Sequence, residues 1–160
     1  MSRKGAVSDS SFLVMVCGKW RNGNEDLSDS YALRREVFVE EQGISEKLEF
    51  TGDDGAYMHL VVYEGDMPVA IGRMRWIDHK TVAMGRICVK KNKRGQKLGD
   101  FLVRIMMEKA FQEGALTAVL DAQEQAVGFY ERLGFIKGDR VEEPTGIPHF
   151  QMRADLIHRK

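Results

Sequence analysis

Lys90, Lys91, Lys93, Arg94 and Lys97 crowd one short stretch that also holds Gly95 and is followed by Gly99. A β-rich segment, Met84 to Val89, runs into it, and Leu98, Phe101, Leu102, Ile105 and Met106 recur behind it with a helical period. A helix that opens from such a turn exposes its first backbone N–H groups, which have no partner inside the helix. Those donors and the positive end of the helix dipole attract an anion, typically a phosphate. The stretch therefore reads as a cradle for a pyrophosphate.

Other reactive side chains are sparse. The histidines His59, His79, His149 and His158 are scattered without ligand spacing, and Cys17 and Cys88 lack metal-type or redox-type spacing, so no metal is expected. Cys88 reads as a small buried hydrophobe, since no histidine is sequence-linked to it. Met106 and Met107 read as helix-core filler, and Trp20 and Trp76 as packing residues.

The elements that must position the cradle follow from periodicity. Phe12 to Cys17 predicts a strand and Asp26 to Gln42 a helix stopped by Gly43. Residues 41–55 form an acidic, glycine-containing connection. Three antiparallel strands follow, Tyr57–Tyr63, Val69–Ile77 and Thr81–Lys90, with turns at Glu64-Gly65-Asp66 and Asp78-His79-Lys80. The cradle helix ends at Gly114. Leu116–Leu120 is a strand, Gln123–Leu133 a short helix closed by Gly134, and two strands begin at Phe135 and around Phe150. This order is a mixed α/β single domain over residues 11–160, with a flexible polar N-terminus over 1–10.

Composition sets the outer bounds. The chain has 160 residues, 43% of them hydrophobic and 30% charged, an ordinary globular balance. Lys+Arg and Asp+Glu are both 24, giving a formal net charge of +0 that excludes a whole-molecule footprint for nucleic acid. No apolar stretch is long enough to span a bilayer, and no secretory leader precedes the first strand. The expectation is a cytoplasmic protein with neither nucleic acid nor membrane as partner.

Three segments carry a family resemblance. Arg94-Gly95-Gln96-Lys97-Leu98-Gly99 resembles the Gln/Arg-x-x-Gly-x-Gly/Ala turn of the GNAT superfamily of acyl-CoA-dependent N-acetyltransferases. The stretch from Ala122 to Phe135, containing Gly128-Phe129-Tyr130 and Gly134-Phe135, resembles that family's helix ending in Phe-Tyr-x-x-x-Gly-Phe. The pairing of 37–43 (Val-Phe-Val-Glu-Glu-Gln-Gly) with 146–152 (Gly-Ile-Pro-His-Phe-Gln-Met) is similar to a bacterial branch of predicted acyltransferases. The family's usual first glycine is Lys97 here, and a lysine is expected to take an ordinary first-turn helical conformation there.

The resemblance implies a central, mostly antiparallel sheet of six to seven strands. It has splayed fourth and fifth strands and helices on both faces. It implies acetyl-CoA as co-substrate in that splay. Main-chain atoms of Ile87, Cys88 and Val89 would pair with pantetheine, and Arg94, Gly95, Gln96, Lys97, Leu98 and Gly99 would hold the diphosphate, with Gln123, Ala126 and Phe129 beside it. Tyr130 would protonate the departing thiolate. The proton acceptor is sought among Glu40, Glu41, His59, Asp121 and His149, with Glu41 first and His149 second.

The implied activity is acetyl transfer to a primary amine of a small molecule or peptide, by direct attack in a ternary complex. The alternatives are a non-catalytic acyl-CoA-binding sensor or scaffold and, from the basic turn alone, a generic phosphate binder. The acidic segment from Glu46 to Asp54 hints at a cationic acceptor or is a solvated loop. A homodimer is the default for an oligomer.

Overall fold

The computed structural model describes residues 15–156. The N-terminal segment 1–10, residues 12–14 of the expected first strand and His158 lie outside the described residues. One seven-stranded sheet organises the rest. Its strands are β1 (Val16–Asn22), β2 (Met58–Glu64), β3 (Met67–Trp76), β4 (Thr81–Val89), β5 (Thr117–Gln123), β6 (Ile136–Val141) and β7 (His149–Asp155). Their spatial order is β1-β2-β3-β4-β5-β7-β6. Only β4 and β5 are parallel; every other neighbouring pair is antiparallel.

Four α-helices cover the two faces: α1 (Ser28–Arg34), α2 (Glu46–Glu49), α3 (Leu98–Gln112) and α4 (Val127–Arg132). On one face, Leu102, Val103, Met106 and Met107 of α3 and Tyr130 and Leu133 at α4 pack on Leu60, Met74, Val82, Met84, Leu120 and Met152. On the other, Leu33, Val37 and Phe38 close over Val61, Tyr63, Ile71 and Cys88. Alternation along the strands sends neighbouring residues to opposite layers, so β2 to β4 are buried on both sides.

Three boundaries differ from the sequence reading. The first strand spans Val16–Asn22, because its pairing with β2 carries it through Lys19, Trp20 and Arg21, which an apolar-run criterion rejects. The helix over 26–42 changes winding: after α1, Arg35–Glu41 form a π-helical segment, with Gln42 N–H bonded to the Val37 carbonyl at 3.0 Å. Gly43 (φ 75°) ends it as expected. β5 runs on to Gln123, because β7 pairs with it residue by residue as far as Gln123 and His149. A 3-10 turn over Glu124–Ala126 then leads into α4.

Candidate active site

The parallel pairing of β4 and β5 covers only Thr81–Met84 against Thr117–Leu120. Beyond it β4 continues to Val89 and β5 to Gln123 as two diverging arms. The cause is a bulge. Gly85 pairs with Arg73 and Cys88 with Ile71, so Arg86 and Ile87 together oppose Gly72. Arg86 sits at φ 48°, a left-handed conformation that a side chain rarely adopts. The extra residue bends β4 away from β5 and leaves a forked opening.

Main-chain alternation decides which groups line that opening. Lys90 N–H bonds the Val69 carbonyl (2.8 Å), so Lys90 and, two residues earlier, Cys88 face β3. Val89 faces the fork. Of the three residues expected to offer main-chain groups, Val89 is thus on the open edge, Ile87 is in the bulge, and Cys88 is turned to its neighbour strand. The Cys88 side chain is buried, and burial followed by the Glu49 charge pushes its thiol well above the ordinary range. It is a packing residue and a poor nucleophile.

The cradle lies at the end of the β4 arm. A 3-10 turn over Lys91–Lys93, Gly95 at φ 82° and Lys97 at φ 66°, ψ 20° lead into α3. Lys97 corrects the expectation of an ordinary helical conformation: it keeps the left-handed backbone that a glycine would supply, because the chain must reverse there to enter α3. The first bond of the helix runs from Phe101 N–H to the Lys97 carbonyl (3.0 Å), which leaves the amides of Leu98, Gly99 and Asp100 aimed outward. Gly99 lies against α4 and β4: a β-carbon there would stand in ordinary contact, 3.4 Å from both Phe129 Cζ and Val89 Cγ2.

The five cations do not all face an incoming anion. Lys90 Nζ pairs with Glu36 (2.9 Å), Lys93 with Glu64, and Arg94 Nη1 and Nη2 hold the Glu41 carboxylate at 2.6 and 2.8 Å. Lys91 and Lys97 have no ion pair among the described residues. The π-helical winding explains two of these pairs. Its i→i+5 bonding stacks residues five apart, so Glu36 and Glu41 face the same loop, whereas α-helical winding would turn them to different sides.

Tyr130, on α4, belongs to the same buried cluster as Met84 and Leu120. It is 7% exposed and packed edge-on against Phe129 and Phe135, with centroids 5.0 and 5.7 Å away. Burial, with Cys88 as the second influence, raises the phenol far above its ordinary value, so it keeps its proton. Across the opening, Gln123 Nε2 donates to Gln42 Oε1 (2.9 Å) at the end of the π segment. His149 pairs with Gln123 in register, on the face that also carries Asp121 and Gln151. Its Nδ1 lies 2.7 Å from the Ile147 carbonyl oxygen, an acceptor only, so Nδ1 carries a hydrogen and Nε2 is the lone-pair nitrogen of the neutral ring. Ala126 caps α4 against the core.

A model of the acetyltransferase (GNAT) domain matches residues 24–156. The chain belongs to the GNAT acetyltransferase family. An uncharacterised N-acetyltransferase of Bacillus subtilis, YjcF, is 36% identical over 132 residues, covering 82% of this chain and 94% of the relative. The crystal structure of Escherichia coli ElaA is 29% identical with a TM-score of 0.75, over 88% of this chain and 100% of that one. An aminoglycoside 6'-N-acetyltransferase complexed with coenzyme A shares the fold at 15% identity and a TM-score of 0.69, over 90% of this chain and 99% of that one.

This GNAT chain also holds a buried ionic cluster that sequence reasoning missed. Arg34, fully buried, donates from Nε to Glu49 (2.9 Å) and from Nη1 to Asp54 (2.9 Å). Arg73 reaches Asp54 at 2.7 Å, and Arg86 Nε lies 2.9 Å from Glu49. Arg86 Nη2 also donates to the Leu48 and Glu49 carbonyls, tying the bulge to α2. His59 bonds the Asp54 carbonyl (3.0 Å), and burial lowers its pKa, so it is a satisfied structural histidine. The segment 46–54 is therefore neither an acceptor magnet nor a solvated loop throughout: Glu49 and Asp54 are counter-ions for three arginines. Their partners lie far away in sequence, and no local pattern announces them. Among the described residues no group of acidic, histidine or cysteine side chains could hold a metal, and no helix is long and apolar enough to cross a membrane.

Proposed function

We propose that this protein transfers the acetyl group of acetyl-CoA to a primary amine, by direct attack within a ternary complex. The observation that carries this reading is the fork between β4 and β5, which opens beside the unpaired amides that start α3. An amide-bearing arm fits along the exposed edge at Val89 as an added strand would, and a diphosphate fits the amides of Leu98 and Gly99 with Lys97 and Lys91 beside them. The coenzyme bound in the aminoglycoside-acetylating relative supports this choice of donor.

The chain's own residues divide the chemistry. His149 Nε2 accepts a proton from the acceptor's ammonium, freeing the nitrogen lone pair for attack on the thioester carbonyl. As the carbon–sulfur bond breaks, Tyr130 donates a hydrogen bond to the leaving sulfur; the phenol hands its proton to the thiolate as it takes the second proton lost by the acylated nitrogen, and so ends neutral. Holding both substrates in the fork removes the entropic cost of their encounter, the main source of rate. The buried, protonated Cys88 thiol argues against an acyl-enzyme.

Release of CoA thiol from acetyl-CoA, followed across a panel of amines, tests the proposal. Turnover with at least one amine is expected, and Tyr130→Phe should slow it about 10²-fold while CoA affinity stays the same. Binding of acetyl-CoA without turnover for any amine would instead identify a non-catalytic acyl-CoA-binding module.

A further inference from the structure

Arg94 spans the cradle end of the fork. Its Nε donates to the Val89 carbonyl (3.0 Å), the group that faces the opening, and its two Nη atoms grip Glu41 on the π-helical segment. Both partners matter to a ligand in the fork. The carbonyl belongs to the edge along which an amide-bearing arm would pair, and the carboxylate sets a negative charge beside an anion site. A diphosphate offers the guanidinium the same two-pronged geometry as a carboxylate, with more charge. The Arg94–Glu41 pair is solvent-accessible, with side chains 41% and 28% exposed, so exchanging one partner for the other costs little. The neighbouring pairs, Lys90 with Glu36 and Lys93 with Glu64, hold the rest of the loop and touch no group on the open edge.

We propose that Glu41 and the donor's diphosphate compete for Arg94, so that seating acetyl-CoA draws Arg94 onto the diphosphate and frees Glu41 to take the acceptor's ammonium. The proposal rests on the reading that the fork holds acetyl-CoA. Glu41 is well placed for its second role. Its neighbour Gln42 already bonds Gln123, and Gln123 pairs with His149, the proton acceptor.

Titration calorimetry at low ionic strength with CoA, ADP and pantetheine as probes tests this. Glu41→Gln keeps the shape of the side chain and removes its charge. It should tighten CoA and ADP about fivefold and leave pantetheine unchanged. Arg94→Ala should weaken CoA and ADP, and the gain from Glu41→Gln should be smaller in that background, where only the repulsion between the carboxylate and the diphosphate is left to relieve. In the wild-type protein the Arg94 Nη–H resonances, which report the Glu41 contact, should move with CoA and ADP. The competition is overturned if Glu41→Gln binds CoA no more tightly than wild type, or if its gain is undiminished in the Arg94→Ala background. A wild-type protein that takes up no CoA at millimolar concentration overturns the reading of the fork itself, and the competition with it.

Discussion

Lys97 holds a left-handed backbone (φ 66°, ψ 20°) at the entrance to α3, where its β-carbon crowds the following carbonyl. For a residue with a β-carbon that conformation costs about 1–2 kcal/mol, and for glycine almost nothing. Glycine returns part of the gain, about 0.5–1 kcal/mol, through the greater freedom of its unfolded chain. Lys97→Gly should therefore stabilise the fold by about 1 kcal/mol, which for a chain of this size raises Tm by about 3 °C. Lys97→Ala separates backbone from charge: it removes the ammonium but keeps the β-carbon and its strain. Thermal and urea unfolding followed by circular dichroism should place Lys97→Gly above wild type and Lys97→Ala near it. Both variants should bind CoA a few-fold more weakly, since both lose one of the two cations left unpaired in the turn. Equal stability of the glycine and alanine variants would refute the argument, because the strain would then not reside at this residue.

The ionic cluster makes two further predictions. Glu49→Ala removes the acceptor that the buried Arg34 and the half-buried Arg86 share, and should cost about 3 kcal/mol in urea unfolding at pH 7. Acid sensitivity should come from Asp54. Burial pushes its pKa up, but the hydrogen bonds and charges of Arg34 and Arg73 outweigh that and hold it below the ordinary carboxylate value. A depressed native pKa gives stability that is full above the unfolded value near ~3.9 and is lost as pH falls through the native value. Glu49 has the opposite sign, since burial holds its pKa above the ordinary value despite Arg86 and Arg34. Its ionised form costs stability, and acid relieves that cost. Asp54→Asn should therefore flatten the acid limb of a stability–pH profile, and an unchanged limb would count against the assignment.

The parts legible in the sequence are those with local causes. The cradle, the period of α3 and the strand run from Tyr57 to Lys90 each show in neighbouring residues, and the strand order and motifs fitted one family. The rest needed the fold. The winding of Arg35–Glu41 is invisible because Leu33, Val37 and Phe38 bury equally well in an α or a π turn. The run of β1 on to Asn22 was hidden because its register comes from β2 and not from its own apolar run. The left-handed Lys97 contradicts residue preference and is imposed by the chain reversal before α3. Charge pairing was the largest surprise. Basic residues that look free in a list meet glutamates from the π segment and β2, and acidic residues that look solvated are buried under arginines.

The seam at Thr81–Met84 and Thr117–Leu120 is all that joins the four strands on one side of the molecule to the three on the other within the sheet. Mechanically the domain is two plates meeting along a short spine. A guest seated across the gap would splice the plates together, and amide exchange along both margins should slow in its presence, although those margins belong to distant parts of the chain.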